Sequence, residues 1–194
     1  MKTIELKKIT KAMEKSLDAK RFEHTLGVEY TAAALAMRYG ESIENAQIAG
    51  LLHDCAKCMS DEKRLSFCEK HNISVHEIER KNPSLLHAKV GSFLAMEEFQ
   101  ISNPDIINAI LNHTTGRPGM SLLEKIIFVA DYIEPGRKQL PGLNEIRRLA
   151  FIDLDQAFLQ ILKDTLAYLN REKDSIDPMT QKTYDYYCNE EKTT

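Results

Sequence analysis

The chain is poor in the residues that build sheets, rigid turns and membrane spans. It has no tryptophan, eight glycines and six prolines, and no stretch alternates β-branched and polar residues over a useful strand length. No uninterrupted apolar run approaches the length of about 18 residues that a membrane-spanning helix needs. The first residues, MKTIE, lack a signal-peptide core. These absences argue against a β-rich or membrane-embedded protein and favour a cytoplasmic location.

The charge balance also lacks the excess of lysine and arginine that nucleic-acid-binding proteins carry. The 194 residues include 26 Lys and Arg against 29 Asp and Glu, a net charge of −3, with 43% hydrophobic and 28% charged residues. This balance argues against broad binding of nucleic acid and is typical of a globular chain that can bury its own core. We therefore predict one domain over residues 1–194, with no nucleic-acid and no membrane partner.

The four cysteines are too few and too irregularly spaced for a disulfide-stabilised scaffold. Cys55 and Cys58 form a Cys-x-x-Cys pair that could supply half of a zinc site or a redox couple. No second pair of this kind follows, and no βαβ pattern surrounds it. A zinc site or redox couple at Cys55 and Cys58 stays open as an alternative, but other residues are better candidates for the functional site.

Helix signals, in contrast, recur along the whole chain. Apolar residues at helical spacing alternate with cap residues, such as Ser42, Asn103 and Ser121 at helix starts and Gly40 at a helix exit. A polar tail with several tyrosines is expected to form a last helix. The fold class predicted is an all-α, single-domain helical bundle. Its main helices are expected at about residues 4–17, 21–39, 43–54, 84–99, 106–113, 122–133, 144–151 and 153–171.

Six polar residues stand out because they interrupt apolar segments near predicted helix ends. His53 and Asp54 follow the apolar run AGLL, and Asp131 lies in the stretch IIFVADY, the most apolar of all. Burying such groups without partners is costly, although a lone histidine on an apolar face is more often hydrogen-bonded than metal-bound. The full set is His24, His53, Asp54, His87, His113 and Asp131.

Taken together, these six residues favour a metal site. Helical bundles build such sites from inward-pointing side chains on facing helices, and a set of histidines and carboxylates suits Fe, Mn, Zn, Co or Ni. Six ligands exceed what one tetrahedral zinc needs and suffice for two ions that share a carboxylate. Since neighbours on a helix diverge by about 100°, Asp54 can reach a second ion while His53 binds the first. We expect the six to converge from five helices.

The sequence around these residues resembles that of the HD-domain metal-dependent phosphohydrolases, whose signature is H…HD…D. His24, the pair His53-Asp54, and Asp131 match this signature. Five longer blocks resemble the bacterial YqeK branch of that family, namely RFEHTLGV, AGLLHD-x-AK, LHA-x-VG, NHTTGRP and ADYIEPGR. The one departure is the pair Cys55 and Cys58, since this branch does not require cysteine there.

The resemblance implies an HD-type bundle and a symmetrical bis(5'-nucleosyl)-tetraphosphatase. Such a hydrolase cleaves diadenosine tetraphosphate into two ADP at a centre of two divalent metal ions, usually iron, by in-line attack of a metal-bridging hydroxide. By motif match, one ion would be held by His24, His53, Asp54 and Asp131, and the second by His87 and His113, with Asp54 as the bridge. The residues expected to be catalytic are Asp54, Lys57, His87 and His113.

Residues expected to contact the nucleotide substrate carry positive charge or hydroxyl groups near these ligands. Lys57, four residues after His53, would share the face of that ligand on one helix. The loop after His113 offers hydroxyls, backbone amides and an arginine suited to phosphate. A solvated lysine and an ordinary turn are the alternatives. Glu134 is either a partner of a ligand or simply exposed. The full expected set is Arg21, Lys57, Thr114, Thr115, Arg117 and Arg137.

Three other functions stay open from the sequence. One is a different nucleotide phosphohydrolase or phosphodiesterase, although the Gly-Tyr-Pro signature of cyclic-dinucleotide phosphodiesterases is absent. The second is an HD-type di-iron oxygenase, against which the Thr-Thr-Gly-Arg loop argues because it suits a polyanion. The third is a nucleotide-binding module without turnover. The tyrosine-rich tail could pack on the chain itself or across a homodimer interface.

Overall fold

The computed structural model describes residues 3–172 and 177–191, and within these ranges it contains helices and no β-strand. The prediction of an all-α fold is confirmed. A short 3-10 helix, Pro83–Leu86, precedes the sixth α-helix. The α-helices, in chain order, are α1 (Thr3–Ser16), α2 (Ala19–Tyr39), α3 (Ile43–Leu52), α4 (Asp61–Lys70), α5 (Glu77–Lys81), α6 (His87–Glu97), α7 (Pro104–Asn112), α8 (Leu122–Ile133), α9 (Leu143–Ala150), α10 (Leu154–Glu172) and α11 (Pro178–Glu191).

Side-chain caps fix where several of these helices begin and end. Ser42 accepts a hydrogen bond from the backbone N–H of Asn45 at the start of α3, and Ser121 and Glu124 form a capping box at the start of α8. These bonds satisfy backbone donors that the first turn of a helix leaves unpaired. Gly40 ends α2 with a φ of 77°, a conformation that glycine adopts at little cost. The predicted starts of α3 and α8 and the exit of α2 are confirmed.

Two apolar helices, α3 and α8, lie at the centre of the bundle and pack on each other. α3 also contacts α1, α2, α6 and α7, and α8 also contacts α2, α7, α9 and α10. Leu51 and Leu52 of α3 and Ile126 and Ile127 of α8 are fully buried, each stabilising the fold by about 1.5–3 kcal/mol. Polar side chains at the ends of these helices therefore have fixed positions in a closely packed interior.

His53 and Asp54 were predicted to lie on the helix α3. They lie instead in a turn that directly follows it. α3 ends at Leu52, and residues 53–58 form consecutive turns. Hydrogen bonds run from the N–H of Cys55 to the carbonyl of Leu52 and from the N–H of Lys57 to the carbonyl of Asp54. Each bond spans three residues, which winds the chain more tightly than an α-helix does. The residues of this turn are therefore rotated about the chain axis relative to a continued α-helix.

The segment predicted as one helix over residues 84–99 is divided in two. Pro83–Leu86 is a 3-10 helix, and α6 begins at His87. Pro83 lacks a backbone N–H and restricts the residue before it, so the chain starts a new element at this proline. The 3-10 helix ends at Leu86, so His87 stands at the beginning of α6, next to the turn after α3.

The C-terminal helices pack on α8 and α9. α10 contacts both of them, and α11 contacts α10. Tyr187 of α11 is buried against Phe158, and its hydroxyl accepts a hydrogen bond from the N–H of Met120. The tyrosine-bearing tail thus packs on its own chain, which is one of the two arrangements left open by the sequence. Within the described ranges, no helix has the length and apolar character to cross a membrane.

Candidate metal centre

Asp54 lies at the middle of a group of histidines in the bundle interior. Its Oδ1 atom is 3.3 Å from Nε2 of His87 and 3.6 Å from Nε2 of His113. Its Oδ2 atom is 3.5 Å from Nε2 of His53. The carboxylate is therefore shared, with one oxygen toward each side of the group.

Asp131 closes the other side of the group. Its Oδ1 atom is 3.0 Å from Nε2 of His24 and 3.8 Å from Nε2 of His53, so all six predicted residues come together. His24, His87 and Asp131 belong to α2, α6 and α8, whereas the other three follow α3 or α7. Five helices thus contribute as expected, but three of the six residues lie just beyond a helix end and not within it.

Each histidine ring of the group is oriented by a hydrogen bond from its Nδ1 atom. For His53, His87 and His113 the acceptor is the backbone carbonyl three residues earlier, at 2.6–2.7 Å. For His24 it is the carboxylate of Glu134, at 3.0 Å. Because a carbonyl oxygen can only accept, Nδ1 of His53, His87 and His113 carries the proton, and the Nε2 atom of each neutral ring turns its lone pair toward the centre.

Several of these inward-pointing atoms have no hydrogen-bond partner within the described part of the chain. They are His24 Nε2, His53 Nε2 and Asp54 Oδ1. In addition, Nε2 of His87 and Nε2 of His113 lie 3.2 Å apart, where two lone pairs repel unless a proton or a cation lies between them. Each unsatisfied buried group costs about 1–3 kcal/mol. A converging set of imidazole and carboxylate lone pairs fits a divalent cation.

Two subsets of the group have ligand atoms within 4.8 Å of one another. One is His24, His53 and Asp131, and the other is His53, Asp54 and His113. The subsets share His53, so two ions held by them would be neighbours. His87 adjoins the second subset through its short distance to Asp54.

The Cys-x-x-Cys pair does not join this group. The Sγ atom of Cys55 contacts the carbonyl of Gly91, and the Sγ atom of Cys58 contacts the carboxylate of Asp18. Burial raises the pKa of the Cys55 thiol to about 12, which keeps it protonated and a poor metal ligand. The geometry therefore does not favour the zinc or redox alternative.

The aspartates of the centre are held in their charged form. Burial by itself would raise the pKa of Asp54, but the adjacent imidazoles of His53 and His113 outweigh burial and hold that pKa well below its ordinary value. The pKa of Asp131 is lowered in the same way, against the effect of burial, chiefly by the imidazole of His24 beside it. Charged carboxylates are the form that binds metal ions.

Lys57 reaches the centre from the turn after α3. Its Nζ atom is 3.2 Å from Nε2 of His87, so the predicted proximity holds although the helical reason given for it does not. Burial, together with the nearby His113 and Lys57, lowers the pKa of His87 to about 3. Burial also lowers the pKa of Lys57. The histidine is thus neutral at pH 7, as a metal ligand must be.

Two arginines border the centre on its open side. The Nη1 atom of Arg21 is 2.8 Å from Oδ2 of Asp54, and the Nη1 atom of Arg137 is 3.8 Å from Oδ1 of Asp131. Their side chains are 30% and 35% exposed. Guanidinium groups that contact both the centre and solvent are well placed for an incoming anion.

The loop after α7 does not present its polar groups to the centre. Arg117 donates hydrogen bonds to both carboxylate oxygens of Glu124, at 2.7 Å each. Thr115 donates to the carbonyl of Gly116. Thr114 and Thr115 line a separate cleft of about 710 Å³ bounded by α5, α6, α7 and α11. This geometry does not favour the phosphate contacts predicted for these two threonines and Arg117.

One residue that supports the site was not predicted from the sequence. Arg64 of α4 is buried, and it donates hydrogen bonds to the carbonyls of Ala56, Lys57 and Pro83. It therefore ties the turn after α3 to the 3-10 helix before α6. In the sequence, Arg64 stands four residues before the apolar Cys68, a spacing that places both on one face of a helix. This spacing hints that Arg64 is buried but does not reveal which carbonyls it binds.

Comparison with known proteins agrees with this geometry. The HD domain family model matches residues 21–136. The chain is 41% identical over 174 residues to the symmetrical bis(5'-nucleosyl)-tetraphosphatase of Bacillus subtilis (strain 168), covering 90% of this chain and 92% of that protein. It is also 41% identical over 172 residues to the protein of the same name from Halalkalibacterium halodurans, covering 89% and 91%.

A solved structure extends the similarity to three dimensions. The crystal structure of a protein from Clostridium acetobutylicum, described as a predicted HD superfamily hydrolase involved in NAD metabolism, superposes with a TM-score of 0.91 at 41% identity. The match covers 95% of this chain and 97% of that one. The matched family model spans more than half of the chain and contains all six residues of the centre. This chain therefore belongs to the HD domain family, alongside the symmetrical bis(5'-nucleosyl)-tetraphosphatases.

Proposed function

We propose that this protein is a metal-dependent hydrolase that cleaves dinucleoside polyphosphates symmetrically, with diadenosine tetraphosphate giving two ADP as its main reaction. The observation that carries this proposal is the convergence of four histidine Nε2 atoms and two carboxylates. Three of the converging atoms, His24 Nε2, His53 Nε2 and Asp54 Oδ1, are buried without a hydrogen-bond partner in the described part of the chain. It is supported by 41% identity to two proteins named for this activity. A cytoplasmic location and a homodimer stay predictions.

We propose that the centre holds two divalent ions, iron by preference, with Mn, Zn, Co or Ni as alternatives. Asp54 would be the ligand common to both ions, because its two oxygens face different histidines. When bound, the ions would supply positive charge to the phosphate oxygens and lower the pKa of a water molecule. One ion would be held by His24, His53, Asp54 and Asp131, and the other by His87 and His113 with Asp54.

The protein's own contribution to substrate binding is proposed to be a cluster of three cations, Arg21, Lys57 and Arg137. A tetraphosphate carries several negative charges, and a guanidinium group can form bidentate hydrogen bonds with a phosphate. Lys57 lies beside His87, inside the centre. It is therefore placed to stabilise the charge that develops on the departing ADP oxygen.

Identification of the products tests this proposal. The purified protein, freed of metal, is reloaded separately with Mn²⁺, Co²⁺, Ni²⁺, Zn²⁺ or, without oxygen, Fe²⁺, and is incubated with diadenosine tetraphosphate. ADP is expected as the sole nucleotide product. AMP with ATP would contradict symmetrical cleavage. Oxygen consumption without nucleotide products would indicate an oxygenase instead, and binding without turnover would indicate a non-catalytic module.

A further inference from the structure

Glu134, the first residue after α8, carries a buried carboxylate that is 2% exposed. Its Oε1 atom accepts a hydrogen bond from Nδ1 of His24 at 3.0 Å, and its Oε2 atom accepts one from the N–H of Gly136. A buried carboxylate is tolerated only where hydrogen-bond donors compensate for the lost water. One oxygen of Glu134 therefore orients the ring of His24, and the other holds the turn after α8 through the N–H of Gly136.

Two glycines provide the space for this carboxylate. A Cβ atom at Gly27 would lie 2.5 Å from Oε2 of Glu134, and one at Gly136 would lie 3.0 Å from it. Gly27 lies within α2, where glycine is less stable than alanine by about 0.5–1 kcal/mol. The presence of glycine at this helical position is therefore explained by the carboxylate that packs against it.

His24 differs from the other histidines of the centre in its orienting partner. The other three rings are held by backbone carbonyls, whereas His24 depends on a side chain from another helix end. The backbone of that side chain, Glu134, is itself held in place. Arg147 of α9 donates hydrogen bonds to the carbonyls of Ile133 and Glu134, at 2.9 and 2.8 Å. A chain of contacts therefore runs from α9 through Glu134 to His24.

We propose that Glu134 is a positioning residue for His24, and that Gly27 is required because a larger residue would displace the carboxylate. The pair keeps the imidazole with its Nδ1 proton bonded and its Nε2 atom toward the centre. This inference rests on the metal centre proposed above. Partners of this kind fix the ring of a metal-bound histidine, and their loss typically weakens metal binding by about 10–100-fold.

Three variants test the proposal through metal affinity, with Mn²⁺ as the probe in equilibrium dialysis. E134A removes the acceptor of His24, whereas G27A keeps the carboxylate and pushes it away. Each is expected to weaken Mn²⁺ binding by about 10–100-fold. The double variant should bind no more weakly than E134A alone, because the added methyl group then has nothing to displace. Such non-additivity is what direct contact between two sites produces.

A matched control separates positioning from general stability. E124Q alters another buried glutamate, at the opposite end of α8, and should lower the unfolding temperature while Mn²⁺ affinity is kept. If E134A fails to fold, E134L replaces it, since leucine fills most of the volume of the glutamate side chain and offers His24 no hydrogen-bond acceptor.

Two outcomes would overturn the inference alone. One is an E134A or E134L protein that binds Mn²⁺ as tightly as the wild type, and the other is losses that simply add in the double variant. A wild-type protein that takes up none of the metals tried would overturn the metal centre as well.

Discussion

Arg64 joins two segments that carry residues of the centre, and its replacement tests how the centre is held together. Its guanidinium donates to the carbonyls of Lys57 and Pro83 at 3.1 Å and of Ala56 at 3.4 Å, and it pairs with Asp61. The side chain is 6% exposed. The substitution R64M keeps the apolar stem and removes every one of these hydrogen bonds.

The expected loss of stability follows from these contacts. A hydrogen bond from a charged donor contributes about 1.5–3 kcal/mol, and the exposed Asp61 adds little. Because methionine restores part of the packing, we expect R64M to lower the free energy of unfolding by about 3–4 kcal/mol. For a domain of this size, at about 2–4 °C per kcal/mol, the unfolding temperature should fall by roughly 10 °C.

The measurement is thermal unfolding of the metal-free protein, followed by circular dichroism, with turnover of diadenosine tetraphosphate assayed at a temperature where the variant is folded. Turnover should also fall, because Lys57 and the start of α6 lose their common support. K63M is the control, since Lys63 is the exposed neighbour of Arg64, and surface substitutions change stability by only about 0.5 kcal/mol. An R64M protein that unfolds at the wild-type temperature would refute the reasoning.

Three further predictions concern the centre and its surroundings. Asp54→Asn should abolish turnover and metal loading with an unchanged helical spectrum; retention of both metal and turnover would contradict the bridging role. Burial lowers the pKa of His87 from 6.5 to about 3, so the unfolded chain binds more protons between these values. The contribution of neutral His87 to the stability of the metal-free protein, complete above pH 6.5, should therefore be lost on acidification toward pH 3, and His87→Asn should flatten the dependence of unfolding temperature on pH over this range. Arg117→Met should lower the unfolding temperature by removing the guanidinium that pairs with Glu124, without raising the KM for the nucleotide; a raised KM with unchanged stability would restore its predicted phosphate role.

The sequence predicts those features whose causes are local. The capping box of Ser121 and Glu124 and the αL exit at Gly40 involve residues within one turn of each other, so the helix boundaries they set follow from the sequence. The candidate ligands could be selected for a related reason. A charged group such as Asp131 inside an apolar helix has to find a partner in the interior, whatever the details of the fold.

The acceptors of the imidazole rings could not be predicted, because they are set by backbone geometry. A histidine accommodated at the end of α3 or α7 finds the carbonyl three residues earlier only if the chain turns tightly there. Nothing in the side chains specifies this turn. The same holds for Arg64, whose partners are carbonyls brought near it by the packing of α4 against the 3-10 helix.

The two buried glutamates at the ends of α8 show why the pairing of charges needs the structure. Each carboxylate requires donors once it leaves water, and the sequence places several within reach of either one. Glu124 takes the guanidinium of Arg117, which removes that arginine from the substrate. Glu134 takes the imidazole of His24, which keeps that histidine at the centre. The same physical requirement thus diverts one predicted site residue and orients another, and only the relative positions of the helices decide between the two outcomes.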